Sequence, residues 1–205
     1  CAGAQFANHA EIISVPKNLT TKIPDNVSFA EAAYTTLGAI ALQGVRQADL
    51  RLGETVAVIG LGLLGQLTVQ FLKASGCRVV GLDINESLFE MAKKYGCDAT
   101  FPSSRDSAAS IRAFTRGLGT DAVIITASTS SDEPMLLSLD IARKKSPIVI
   151  VGAVPMNVPR SPFYEKELEL KISCSYGPGR YDPSYEEGGN DYPAGYVRWT
   201  ENRNM

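Results

Sequence analysis

Val56-Ala57-Val58-Ile59-Gly60-Leu61-Gly62-Leu63-Leu64-Gly65 is the stretch that decides the fold. A short unbroken apolar run ends in three glycines at GxGxxG spacing, and an apolar helical pattern follows at once from Gln66 to Ala74. Such a run is a strand buried on both faces, then a tight turn, then a helix N-terminus. Each glycine answers a different need. Gly60 lets the chain turn, Gly62 leaves room for a pyrophosphate against the backbone, and Gly65 lets the helix pack close to the strand. Gly60, Gly62, Leu63, Leu64 and Gly65 are therefore candidate cofactor-binding residues, with the free amides and positive dipole end of the helix facing the phosphates.

The glycine pattern alone is weak, so its surroundings matter. The next strand-like run, Arg78-Val79-Val80-Gly81-Leu82-Asp83, ends in an acid. Asp83 falls about 20 residues past the glycines, where a dinucleotide fold places the carboxylate that takes the ribose hydroxyls. No arginine follows within the next several residues to hold a 2′-phosphate, which favours NAD(H) over NADP(H). Strand and helix signals then alternate. Strands are expected at 55–60, 78–83, 99–101, 121–126 and 147–152, and helices at about 64–75, 86–95, 107–117 and 134–144. This alternation implies an α/β fold with a doubly wound parallel sheet. Ala127 and Ser128, and Gly152 and Ala153, follow the fourth and fifth strands. Ligands gather at such carboxyl ends, so these four residues join the candidate site.

Outside that core, residues 9–16 read as a strand closing on Pro16. Ser28 and Glu31 have capping-box spacing and open a helical stretch to about Ala48, with a break expected near Thr35 and Thr36. Thr36 is a candidate contact for the nicotinamide ribose; the alternative is a helix break with local hydroxyl bonds. Residues 168–174 alternate strictly and should form a last, half-buried strand at a sheet edge, through which a homodimer is expected. Residues 177–195 carry prolines, glycines, acids and three tyrosines, and are expected to form a long ordered loop or an excursion into a neighbouring domain. Thr200 looks like the N-cap of a helix, and the chain opens on Cys1 rather than Met, so a piece of a longer protein is expected.

Composition excludes several classes. The 205 residues are 44% hydrophobic and 20% charged, ordinary for a globular protein, and the net charge of -2 argues against an electrostatic nucleic-acid binder. No apolar run reaches the length of a membrane span. Cys1, Cys77, Cys97 and Cys174 are scattered without a C-x-x-C pair. That spacing suits thiols in a reducing cytoplasm better than a disulfide frame or a structural zinc.

With these motifs in order, the chain resembles the medium-chain dehydrogenase/reductase superfamily, the relatives of zinc-type alcohol dehydrogenases. Residues 8–16 are similar to the strand that closes the family's GroES-like catalytic domain. Residues 23–33, Ile-Pro-Asp-Asn-Val-Ser-Phe-Ala-Glu-Ala-Ala, are similar to its approach to the cofactor domain. Residues 52–60 resemble its first cofactor strand, and Asp83-Ile84-Asn85-Glu86 with residues 92–98 resembles its second unit. The likeness runs over about 1–172. The tyrosine-rich tail resembles a narrower branch of large bacterial proteins that fuse this fold to a second, sugar-type oxidoreductase domain in cell-surface polysaccharide pathways.

The resemblance implies three regions: 1–35, the end of a GroES-like catalytic domain; 36–175, an NAD-binding Rossmann domain; and 176–205, a segment leading back to the catalytic domain. It implies hydride transfer to or from an alcohol or carbonyl carbon of a small-molecule substrate, with the catalytic residues largely outside this piece. It also implies dimerisation through the 168–174 strand. The zinc-ligand position nearest the cofactor domain falls at about Thr35. A neutral hydroxyl is a poor zinc partner, so no metal is expected in this piece. A zinc-free quinone or enoyl reductase and a non-catalytic nucleotide-binding or dimerisation module stay open as alternatives. His9, the single histidine, reads as structural or exposed. Tyr176, Arg180 and Tyr181 read either as a clamp for a sugar or nucleotide or as loop packing. Lys166, near Tyr164, carries little more than a chance signal for acid–base work.

Overall fold

The computed structural model describes residues 1–3 and 6–205. The chain divides into two compact units, Cys1–Gln43 with Cys174–Met205, and Gly44–Ser173.

The second unit is built on a six-stranded, wholly parallel sheet. Its strands are β1 (Thr55–Ile59), β2 (Arg78–Asp83), β3 (Ala99–Pro102), β4 (Ala122–Ile125), β5 (Pro147–Ile150) and β6 (Glu169–Ile172). They lie in the order β3-β2-β1-β4-β5-β6. The order steps away from β1 in both directions, so the crevice at the carboxyl ends of β1 and β4 is a topological switch point. The expected doubly wound α/β fold is observed, with helices α3 (Leu63–Ala74), α4 (Phe89–Lys94), α5 (Ala108–Phe114), α6 (Glu133–Ile141) and α7 (Arg160–Glu165) between the strands.

Every residue of β1 is buried. Because side chains alternate along a strand, Val56 and Val58 enter one core with Leu61, Val69 and Leu72, while Ala57 and Ile59 enter the other with Val80, Leu82 and Ile125. Each fully buried aliphatic side chain of this kind stabilises by about 1.5–3 kcal/mol.

Helix ends are tighter than the apolar pattern implies. The 86–95 helix opens as a 3-10 turn, Glu86–Leu88, whose Asn85 side chain accepts from the Ser87 amide, before α4 begins. The 107–117 and 134–144 helices end at Phe114 and Ile141, and Arg116 and Lys145 just beyond take positive φ. The Arg143 amide donates to Thr120 O, which draws the chain away from α6.

In the first unit, Ser28 and Glu31 form the expected capping box at α1 (Phe29–Ala32), and α2 (Thr35–Gln47) starts afresh after Ala33 and Tyr34. The expected strand at 9–16 is not formed. Its residues make no ladder among the described residues, and Ile12 is 90% exposed. Apolar residues alone cannot hold a strand whose backbone groups find no partner. The 168–174 strand shortens to β6, and its apolar face is only half covered: Leu168 is buried while Ile172 is 54% exposed. Residues 177–195 are ordered and include α8 (Pro183–Glu186), and Thr200 caps a short α9 (Glu201–Asn204). A small apolar cluster of Ala2, Leu19, Ala39 and Tyr176 anchors this unit.

Candidate functional site

The site grows from the end of β1. Gly60 turns the chain with φ +100°, and a Cβ there would lie 2.6 Å from the Ala127 nitrogen. Helix α3 begins immediately. A Cβ on Gly65 would lie 1.9 Å from the Gly60 carbonyl oxygen, so only glycine lets the first turn of α3 sit against β1. At Gly62 the space is open, with nothing within 4 Å of the position a Cβ would take. Gly62 is the N-cap and brings no side-chain cap, so the first amides of α3, on Leu63, Leu64 and Gly65, face that opening.

Asp83 stands at the end of the neighbouring β2. Its Oδ2 accepts from the Leu61 amide at 2.6 Å, and its Oδ1 accepts from the Asn85 amide at 2.8 Å. An ionised carboxylate offers about four acceptor directions. Two are used in fixing the glycine turn and the β2 end, which leaves acceptor capacity facing the cleft.

The ends of β4 and β5 close the other side. Thr126 Oγ1 donates to Gly60 O at 2.6 Å and ties β4 to the glycine turn. A Cβ on Gly152 would lie 2.0 Å from Ala127 O. The Ala153 amide donates to Ala127 O, the Thr129 amide donates to Ala153 O, and Ser128 bridges Ala153. Ala127, Ser128, Gly152 and Ala153 thus form one paired turn.

A cleft of about 450 Å³ opens at this point. It brings together five of the expected site residues, Gly60, Gly62, Asp83, Ala127 and Ser128. Leu63, Leu64, Gly65, Gly152 and Ala153 support the walls without lining them. Thr36 belongs to the first unit, where its hydroxyl donates to Cys1 O at 3.2 Å. The cleft also holds Thr129, which continues the Ala127-Ser128 turn singled out in sequence, and Ser103, Ser131 and Glu133, which the sequence reading did not single out. Ser103 follows β3, and its amide donates to Asp83 O. The rule that ligands gather at strand carboxyl ends would have found it had it been carried through β3. The run Ser131-Asp132-Glu133-Pro134 is a helix-start signal in the same position after β4.

The cleft suits a dinucleotide: unpaired helix amides, an open approach at Gly62, a carboxylate at the β2 end, and the exposed apolar Ile84 beside it. No group of three His, Cys, Asp or Glu gathers among the described residues. Burial raises both inner thiols, Cys97 to about 11.

Other singled-out residues have definite places. His9 is exposed. Arg180 donates to Glu186 at 2.6 Å, and its guanidinium lies 4.2 Å over the Tyr181 ring and 5.7 Å from that of Tyr176. Lys166 Nζ donates to the Leu139, Asp140 and Ala142 carbonyls, at 2.5, 3.2 and 2.9 Å. It caps the end of α6, and its ammonium is committed to those carbonyls rather than to proton transfer.

Comparison with known proteins agrees with this geometry. A family model for zinc-binding dehydrogenases matches residues 64–187. The chain is 31% identical over 181 residues to a probable D-xylulose reductase A of Emericella nidulans, covering 84% of this chain and 50% of that protein. It is 34% identical over 158 residues to an alcohol dehydrogenase of Geobacillus stearothermophilus, covering 74% and 44%. The fold is that of galactitol-1-phosphate dehydrogenase from Escherichia coli, at TM-score 0.71 and 22% identity, over 80% of this chain and 49% of that one. The chain spans about half the length of the curated relatives it matches.

Proposed function

The chain belongs to the zinc-binding dehydrogenase family of medium-chain oxidoreductases, and from that premise we propose that it binds NAD(H) in the cleft at the ends of β1, β2 and β4. Asp83 is the observation that carries the reading. A carboxylate already oriented by two backbone amides is preorganised to accept from both ribose hydroxyls, and it would repel a 2′-phosphate. The open face of Gly62 and the amides of Leu63, Leu64 and Gly65 take the pyrophosphate. The paired turn of Ala127, Ser128, Gly152 and Ala153 borders the nicotinamide end. Bound nicotinamide would supply or accept the hydride, and this chain would orient it and exclude water.

The parent reaction is then oxidation of an alcohol or reduction of a carbonyl on a small molecule in the cytoplasm, with a sugar or polyol as the substrate class. The D-xylulose reductase named above supports that class. The resemblance of the tyrosine-rich tail to proteins of cell-surface polysaccharide pathways points the same way. A second reading is favoured by one observation. The titratable side chains of the cleft are Asp83 and Glu133, both carboxylates, with no lysine, tyrosine or histidine placed to pass a proton to an alcohol. This piece would then bind cofactor without turning over alone. Titration with NADH and NADPH, followed by assay with NAD and a panel of polyols, tests both readings. Tighter NADPH binding would overturn the cofactor assignment, and turnover by this piece alone would overturn the second reading.

A further inference from the structure

The first unit contains a buried carboxyl group without a hydrogen-bonded partner among the described residues. Glu201, at the start of α9, is 0% exposed, and neither carboxyl oxygen has a hydrogen-bond partner among the described residues. The polar groups around it are paired. Asn18 Nδ2 donates to Tyr185 O at 2.8 Å, and Asn202 Nδ2 to Thr20 O at 2.8 Å. Asn204 Nδ2 donates to Tyr176 O at 2.9 Å and to Gln43 Oε1 at 3.1 Å. Arg203 donates to Val197 O at 2.5 Å, to Tyr192 O and to Asp191. The nearby cation, Arg180, is already matched by Glu186 at 2.6 Å. A buried carboxylate with no partner is costly, and it escapes that cost by holding a proton.

We propose that Glu201 is a proton-operated latch for the unit formed by Cys1–Gln43 and Cys174–Met205, in which the protonated acid lets α9 pack and its ionisation loosens the segment from Tyr176 onward. Burial foremost, and then the charge of Glu186, raise this carboxyl from the ordinary 4.5 to about 7, against the opposing pull of Arg180. The folded state therefore holds a proton that the unfolded chain has lost. Stability from this group is complete below about 4.5 and is lost as the pH rises through about 7, by up to about tenfold in the folding constant per pH unit.

Several other groups face Glu201 or pack beside it. From the α8 side come Glu186 and Arg180, fixed on each other. Burial raises the Tyr176 and Tyr185 hydroxyls, and the bond to Asp182 raises Tyr192 to about 12, so all three stay neutral. The 3-10 turn Lys17–Leu19 packs on α8 and α9 and brings Lys17, whose stem runs along Gly189. His9 is the single histidine of the chain and is exposed, so it is the necessary control.

Trp199, the single tryptophan of the chain, lies two residues before Glu201 and reports on this unit. Its fluorescence should shift between about pH 5 and pH 8.5, with a midpoint near 7, in the unmodified chain and in His9→Gln, and stay flat in Glu201→Gln. Glu201→Gln should also melt higher than the unmodified chain at about pH 8.5 and level with it at about pH 5. A shift that persists in Glu201→Gln, that vanishes in His9→Gln, or that never occurs would overturn the proposal. Should Glu201→Gln fail to fold, infrared spectra of the unmodified chain decide. A protonated-carboxyl band at about pH 6 that disappears by about pH 8.5 supports the latch, and its absence at pH 6 overturns it.

Discussion

The amide of Leu61 donates to Oδ2 of Asp83 at 2.6 Å, so the acid at the end of β2 also holds the glycine turn at the end of β1. Twenty-two residues apart in sequence, the two are neighbours because β1 and β2 run parallel, with Ile59 level with Leu82. The contact couples two tasks. It fixes the glycine turn, and it orients the carboxylate that we propose selects the ribose.

Asp83→Gly should therefore weaken NADH more than NADPH. Charge-assisted hydrogen bonds contribute about 1.5–3 kcal/mol, so the preference for NADH should narrow by roughly tenfold to a hundredfold. Paired titrations of the unmodified chain and the variant measure this. An unchanged ratio would show that Asp83 serves the turn alone.

Gly62 and Gly65 should separate binding from folding. Gly62 has φ -65° and open space, so Gly62→Ala should fold normally and lose NADH affinity as the methyl enters the approach to the phosphates. Gly65→Ala puts a methyl 1.9 Å from the Gly60 carbonyl oxygen and must push α3 off β1. Overpacking of this kind costs about 1–3 kcal/mol. Thermal melts read beside NADH titrations distinguish the two. A Gly62→Ala chain that melts as low as Gly65→Ala would contradict the open space seen here.

Much of this site is legible from residue pattern because a central parallel strand is buried on both faces. Residues 56–59 and 122–125 read as unbroken apolar runs for that reason, and the glycines and Asp83 follow at fixed offsets. Ser103 and Ser131 carry no such mark. They are small polar loop residues whose importance comes only from which strand end they follow. Residues 9–16 fail in the opposite sense. Their apolar residues suit a strand, but a strand exists only where another backbone pairs with it. The joining of Cys1–Gln43 with Cys174–Met205 is also invisible locally. It depends on contacts such as Asn18 to Tyr185, 167 residues apart, which no window of sequence contains.

Lys166 should prove structural. Lys166→Met removes an ammonium shared among three carbonyls at the end of α6, where a cation is also favoured by the helix dipole. The group is partly buried, and burial lowers its ionisation, which offsets some of the gain. A net loss of about 1–2 kcal/mol is expected, or about 2–8 °C in melting temperature for a chain of this size. NADH affinity should be unchanged. A normal melt with lost turnover in the longer protein would instead assign Lys166 to the chemistry.

The free edge of β6 should govern assembly. β6 pairs with β5 on one side, and on its other side no strand pairs with it among the described residues. Leu170 is half-buried and Ile172 is 54% exposed, so the edge offers both unpaired backbone groups and apolar surface. Edges of this kind recruit another strand unless something blunts them. A second copy related by a twofold axis would satisfy both features and extend the sheet across the interface. We expect a dimer in light scattering at micromolar concentration, and a monomer for Ile172→Pro, because proline removes a backbone donor from the edge. The Glu169 and Lys171 side chains lie 3.0 Å apart on the same strand, so a charge-reversing Lys171→Glu should weaken the dimer without unfolding the sheet. A monomeric unmodified chain, or a dimer indifferent to both changes, would place any self-association elsewhere.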